Sequence, residues 1–133
     1  MVTIIDLNAE LAKLTMLRER TPEMTSAQRE GSAAQLAPYR DGNIFASKFA
    51  GCGAWERHPD GDELVHIVDG AATLDIVSAE GPLQSFAVGA GTLAVVPKGA
   101  WHRFRSPGGV TLMTATPLPS EHIRKDVKDP RTI

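Results

Sequence analysis

A chain of 133 residues can form one domain with a sizeable hydrophobic core, and it is too short for two ordinary domains. Its 14 Lys and Arg residues against 16 Asp and Glu residues give a formal net charge of -2, so no basic surface is expected for nucleic acid or an anionic membrane. The single cysteine excludes an internal disulfide framework. Because the sequence also shows no signal-peptide pattern and no apolar run of membrane-spanning length, we expect a cytoplasmic protein.

The N-terminal segment carries apolar residues three or four positions apart, which is the pattern of an amphipathic helix. These residues are Ile4, Leu7, Leu11, Leu14 and Leu17. The pattern predicts one helix over 4–20, ending before Pro22. A helix of this length is not very stable alone, so its leucine stripe is expected to pack on the domain or on a partner subunit. Residues 1–31 are therefore predicted to be a helix with a connecting arm.

Residues 32–117 alternate short apolar runs with turns rich in Gly, Pro, Asp and Asn, which is typical of an all-β domain. The links leave no room for helical crossovers, and such strands must close or cover their edges, so the pattern predicts a double-sheet jelly roll. Gly70 is expected to end a strand, and the segment 106–109 is expected to be a hairpin turn. The charged segment 118–133 shows no apolar face and is expected to be a surface tail.

A predicted hairpin with its turn at 59–62 carries residue types that bind metals. Alternate side chains of a strand share a face, so Glu56 and His58 point the same way. Glu63 returns beside them across the turn. By the same parity His66 points out of the barrel and is expected to be a surface or interface histidine.

The segment Gly91–His102 contains a short apolar strand, a Pro/Gly turn and a histidine that opens the next strand. It reads Gly, five residues, Pro, one residue, Gly, two residues, His, and in this it resembles the second motif of the cupin superfamily. The stretch Glu63–Gly70 resembles the end of the first motif of that family. The resemblance covers residues 44–116. One departure stands out: His58 takes the place of the second histidine of the first motif, while Glu56 stands where the family has the first.

The resemblance implies a double-stranded β-helix holding one divalent metal ion, which is Mn, Fe, Ni or Zn. His58, Glu63 and His102 are the implied ligands. A set of two histidines and one carboxylate leaves coordination positions open for substrate or water. Glu56 is either a fourth ligand, a general base, or the ion-pair partner of an arginine. The alternative without a metal is that the four residues hydrogen-bond one another in the core.

Three further residues are candidates for the pocket wall. Phe104 shares the strand parity of His102 and is expected to face inward. Cys52 follows the Gly51 bulge and faces the pocket if the alternation survives that bulge. Trp101 has the opposite parity to His102, and its ring could shield the ligand only from the rim.

The function that this site favours is that of a metal-dependent enzyme, dioxygenase-like or isomerase-like, acting on a small polar or carboxylated molecule. A cupin that binds or senses a metal or a metabolite without turnover is the main alternative. A metal-free sugar epimerase type is less favoured, because the only tyrosine of the chain lies outside both motifs. The apolar outer face with Leu64 and Val68 predicts a homodimer.

Overall fold

The computed structural model describes all 133 residues, and most of them lie in β-strands. The single α-helix, α1, spans Leu7–Ala12, and short 3-10 turns span Ala27–Arg29 and Pro130–Thr132. The nine strands are β1 (Leu17–Arg20), β2 (Ala33–Tyr39), β3 (Gly42–Cys52), β4 (Trp55–Arg57), β5 (Glu63–Val77), β6 (Gln84–Gly89), β7 (Leu93–Val96), β8 (Trp101–Pro117) and β9 (Glu121–Ile123). None of the helices is long and apolar enough to cross a membrane.

Two long antiparallel strands, β5 and β8, run through both layers of the fold. In one layer, the first half of β5 pairs with β7, and the second half of β8 pairs with β3, which is flanked by β1 and β2. In the other layer, the second half of β5 pairs with β6, while β4 joins the first half of β8 to β9. This arrangement confirms the predicted all-β jelly roll, or double-stranded β-helix.

Both long strands pass from one layer to the other at a shared glycine bend. Gly70 and Gly109 have φ values of 78° and 101°, which L side chains rarely adopt. A Cβ atom on Gly70 would lie 2.3 Å from the carbonyl oxygen of Gly109, so the two backbones can approach only because a side chain is missing. The predictions that Gly70 ends a strand and that 106–109 form a hairpin turn are therefore wrong, since both strands bend here and continue.

The predicted helix over 4–20 is also wrong in its extent. Helix α1 has six residues, begins at a cap where Asp6 accepts a hydrogen bond from the Ala9 amide, and buries Leu11. The segment Leu17–Arg20 instead forms β1, which pairs in parallel with β3. Backbone hydrogen bonds with the open edge of β3 stabilise this segment as a strand, whereas a short amphipathic helix has little stability of its own.

The segment 118–133 folds back onto the barrel, and most of its residues are exposed, as the sequence predicts for a surface segment. Strand β9 pairs with β4, which places His122 opposite Glu56. Further along, the indole Nε1 of Trp55 donates a hydrogen bond of 2.8 Å to the carbonyl oxygen of Val127. Trp55 has no exposed surface, so the segment is attached by a buried aromatic residue of the barrel and needs no apolar face of its own.

The hydrophobic core lies between the two layers and contains eleven buried residues. Val65 and Ile67 have no exposed surface, and burying each of these side chains contributes about 2 kcal/mol. The members are Phe49, Val65, Ile67, Ala72, Leu74, Val88, Val96, Ala100, Phe104, Val110 and Leu112.

An apolar patch lies on the outer face of β5 and β7. Leu64 pairs with Val95 and His66 pairs with Leu93, so these four side chains share one face. Leu93 and Val95 are 63% and 64% exposed, and His66 is half-buried beside them, on the outward side that its parity predicts. Pairing of two chains through this face stays a prediction.

A buried ion-pair cluster holds the second layer together. Asp75 of β5 is 2% exposed and accepts hydrogen bonds from Ser85 of β6 and from Arg103 and Arg105 of β8. The Arg103 guanidinium also lies 4.6 Å from the centre of the Trp55 ring. Burial favours the neutral acid, but hydrogen bonds from Arg105, Ser85 and Arg103 outweigh it and lower the pKa of Asp75 to about 2.

Replacing Asp75 with alanine leaves the largely buried Arg103 without its counter-ion, and we expect a loss of about 3 kcal/mol in the free energy of unfolding. Urea denaturation measures this loss, with Asp69→Ala, an exposed position on the same strand, as the control. Because the pKa of Asp75 is depressed, its contribution is complete above the unfolded value of about 3.9 and disappears as the pH falls through 2. Equal losses for the two variants at neutral pH would contradict the importance of this cluster.

Candidate metal centre

Four residues from three strands and one turn meet inside the barrel. Glu56 lies on β4, His58 lies in the turn that follows, Glu63 is the first residue of β5, and His102 lies near the start of β8. The short strand β4 pairs with β8, where Glu56 stands opposite His102, and with β9. It does not pair with β5, so the hairpin that the sequence predicts around the turn at 59–62 does not form. One ligand atom from each of the four residues lies within 4.8 Å of all the others. The structure thus brings together all four residues that the sequence offers as ligands.

The ring nitrogens and the carboxylate oxygens of these residues converge on one point. His102 Nε2 lies 3.0 Å from Glu63 Oε1 and 3.3 Å from Glu56 Oε1. His58 Nε2 lies 3.1 Å from Glu63 Oε2 and 3.6 Å from Glu56 Oε1. Each imidazole therefore stands against both carboxylates, and each does so through its Nε2 atom.

The other nitrogen of each ring is fixed from outside the cluster. His102 Nδ1 lies 3.1 Å from the carbonyl oxygen of Ala100, and His58 Nδ1 lies 2.9 Å from the hydroxyl oxygen of Ser120. A carbonyl oxygen only accepts, so His102 carries a proton on Nδ1, and a neutral His102 then presents the lone pair of Nε2 to the cluster. The Nε2 atom of His58 is buried and has no aligned hydrogen-bond partner.

The burial of the members divides the cluster into three hidden residues and one accessible residue. His58 and Glu63 are 2% exposed and His102 is fully buried, whereas the Glu56 side chain is 31% exposed. Glu63 is held in place by Thr116, whose hydroxyl donates a hydrogen bond of 2.7 Å to Oε2. Glu56 is therefore the member of the cluster best placed to meet a ligand in the cavity.

The charges of the cluster stabilise one another. Burial opposes protonation of both histidines, but Glu56 and Glu63 outweigh it and raise the pKa of His58 to about 9 and that of His102 to about 10. Burial likewise favours neutral carboxyl groups, yet the histidines hold the pKa of Glu63 below its usual value and that of Glu56 well below. Protons on the two rings thus neutralise the two carboxylates as long as no other cation does so.

The donor set fits a first-row divalent ion. Two imidazole nitrogens and two carboxylates suit Mn, Fe, Ni or Zn, and each ring has its outer nitrogen oriented by a hydrogen bond, as metal-binding histidines commonly do. The Nε2 of His58 forms no aligned hydrogen bond although Glu63 Oε2 lies 3.1 Å away, an arrangement that suits two donors facing a shared cation. The cluster can therefore hold a metal ion.

His122 is a member of the site that sequence reasoning missed. Its Nε2 lies 3.2 Å from Glu56 Oε2, so the Glu56 carboxylate bridges His122 and the buried cluster. His122 belongs to the segment that the sequence analysis expects to be a surface tail, and a strand of three residues shows no periodicity that could have predicted otherwise. The ion pairs of Glu56 all involve histidines, so the expectation of an arginine partner is not met.

A cavity of about 430 Å³ opens onto the cluster and is lined by residues of both layers. Its wall includes Glu56, His58, Glu63 and His122. Two arginines from the N-terminal arm, Arg20 and Arg29, also line it, although the sequence gave no reason to place that arm near the site.

The three candidate wall residues differ in position. Phe104 lines the cavity as its parity predicts. Cys52 is not part of the wall, because the register shift after Phe49 breaks the alternation, and its Sγ lies 3.5 Å from the carbonyl oxygen of Gly53. Trp101 is also absent from the wall, and its ring packs 4.6 Å from the Arg57 guanidinium.

Comparison with known sequences finds one matching protein family and a relative that is similar over part of its length. The model of the family described as "Cupin domain" matches residues 50–115. Acireductone dioxygenase from Rhodopseudomonas palustris (strain TIE-1) is 41% identical over 71 residues, which is 53% of this chain and 40% of that protein. The match thus spans well under half the length of this relative.

Two solved structures share this fold over almost their whole length. A cupin-2 domain containing protein from Shewanella frigidimarina has a TM-score of 0.60 at 21% identity, covering 90% of this chain and 95% of the other. A protein from Neisseria meningitidis has a TM-score of 0.61 at 26% identity, covering 84% and 96%. With the family match centred on the strands that carry the cluster, this chain belongs to the cupin superfamily.

Proposed function

We propose that the protein is a metal-dependent cupin enzyme, dioxygenase-like or isomerase-like, that acts on a small polar or carboxylated molecule. The observation that supports it is the convergence of two Nε2 atoms and two carboxylates on one point beside an open cavity. The likeness to part of an acireductone dioxygenase supports the oxidoreductase reading. A bound divalent ion would supply a Lewis acid that polarises a substrate oxygen.

The protein residues divide the work around such an ion. His58, Glu63 and His102 are buried and fixed by outer partners, so they serve to hold it. Glu56 reaches the cavity, and its second oxygen is held by His122. We propose Glu56 as the fourth ligand, because its Oε1 faces the same point as the other three donors.

We expect one divalent ion per chain, and His102→Ala should weaken its binding at least about 100-fold, because loss of a ligand exceeds the loss seen for an outer partner. His66→Ala is the matched control, since His66 lies on the outer face. Elemental analysis after chelation and reconstitution with Mn, Fe, Ni or Zn measures the content. A protein that takes up none of the four ions would contradict the proposed site.

The pH dependence of metal uptake should lie above the usual histidine range. From the sequence alone, metal affinity is expected to change around the reference pKa of imidazole, about 6.5. The raised pKa values of His58 and His102, about 9 and about 10, mean that an incoming ion must displace protons from both rings. Affinity should therefore keep rising as the pH increases from 7 to 9.

Titration calorimetry in buffers of different ionisation enthalpy counts the released protons. We expect close to two per ion at neutral pH, and the same number for His66→Ala. Release of no protons would show that both rings are already neutral in the metal-free protein.

Glu56→Gln tests the role of the accessible carboxylate. If Glu56 is a ligand, the Glu56→Gln protein should bind the metal at least about tenfold more weakly. Glu121→Gln is the control, because Glu121 lies on the neighbouring strand and pairs only with Arg57 at the surface. Full metal content combined with lost turnover would instead make Glu56 a general base.

A further inference from the structure

Two arginines in the cavity wall have no partner within the chain. The side chains of Arg20 and Arg29 form no hydrogen bond and no ion pair, and the Nε atom of Arg20 is buried without any acceptor. By contrast, Arg103 is paired with Asp75. A buried guanidinium without an acceptor is unfavourable, and such a group beside a cavity is a candidate for contact with a ligand.

The fold holds Arg20 in place by packing, without any counter-ion. Gly51 has a φ of 120°, and a Cβ atom there would lie 2.3 Å from the Arg20 carbonyl oxygen, so this glycine lets β1 lie close to β3. A Cβ atom on Gly53 would lie 3.4 Å from the Arg20 guanidinium carbon. On another side that carbon lies 4.5 Å from the centre of the Phe49 ring. The guanidinium is therefore positioned in advance, which lowers the entropy lost on binding a ligand.

The charges of the cavity favour an anion. A divalent ion would neutralise Glu56 and Glu63, which leaves the positive charges of Arg20 and Arg29 unbalanced. Burial and then repulsion from Arg29 lower the pKa of Arg20 to about 10, so it stays protonated at neutral pH. Arg124 adds a further positive charge near both arginines.

The shape of the cavity favours a small organic molecule. Its volume of about 430 Å³ lies in the range of small-molecule sites. Besides the charged groups, the wall contains aromatic and aliphatic side chains, among them Phe45, Phe49, Phe104 and Leu112. Such a wall would bury an apolar body and leave one charged group for the arginines.

We propose that the cavity binds a small organic acid whose carboxylate is held by Arg20 and Arg29 while its apolar body lies against the phenylalanine wall. This inference deepens the proposed function and rests on it for the reaction. The planar guanidinium of Arg20 can donate two parallel hydrogen bonds to the two oxygens of a carboxylate. This geometry favours a carboxylate over an anion that is attracted by charge alone.

The test uses benzoate, its neutral isostere benzamide, and inorganic phosphate as probes for the full-length protein. Titration calorimetry is performed with metal-free and Zn-loaded samples whose metal content is measured. Benzoate should bind both samples, and benzamide and phosphate should bind at least about tenfold more weakly. Arg20→Met should lower the affinity for benzoate at least about tenfold and leave benzamide unchanged. Arg18→Met, at an exposed position of the same strand, should have no effect.

Arg29→Met provides a second variant with the same expected loss if Arg20→Met does not fold. The inference is overturned if benzoate fails to bind at millimolar concentration, if benzamide binds as well as benzoate, or if phosphate binds more tightly than either. Benzoate binding that requires Zn and is unaffected by Arg20→Met also overturns it, since the carboxylate would then bind the metal. A sample that takes up no metal yet shows binding dependent on Arg20 supports the inference while it contradicts the proposed function.

Discussion

Mutual neutralisation of two carboxylates and two imidazoles at one buried point is the constraint on which this domain depends. Three of the four residues are almost inaccessible to water, and charged groups are tolerated there only when they are paired. Protons can provide the balance, as the raised pKa values of His58 and His102 show, and a divalent ion can replace them. Thr116 and Ser120 each orient one donor of the cluster through a hydrogen bond.

The barrel supplies the ligand cluster, whereas the segments outside it supply the surroundings. Strand β1 and the 3-10 turn that follows contribute Arg20 and Arg29, and the C-terminal segment contributes Ser120 and His122. All four lie outside residues 50–115, which match the cupin family. Proteins that share this barrel can therefore differ in ligand preference through short flanking segments while the cluster stays the same.

Sequence reasoning placed residues correctly where they are close together in the chain, and it failed where their positions depend on contacts distant in the chain. Glu56, His58 and Glu63 could be placed together because only a short turn separates them in the chain, although β4 and β5 belong to different layers and do not pair as a hairpin. His122 and Arg20 could not, because their strands are short and are fixed by edges that form elsewhere. Cys52 could not be placed by alternation, because the register between β3 and β8 shifts between Phe49 and Gly51, where Gly51 has a φ of 120°.

The glycine bend at Gly70 and Gly109 makes the two sheets parts of a single folded ribbon. Each sheet contains half of β5 and half of β8, so neither sheet can lose its central pair of strands while the other stays intact. Two members of the cluster lie on these same strands, with Glu63 at the start of β5 and His102 near the start of β8. The domain should consequently unfold as one cooperative unit, and loss of the ligand geometry should coincide with loss of the fold.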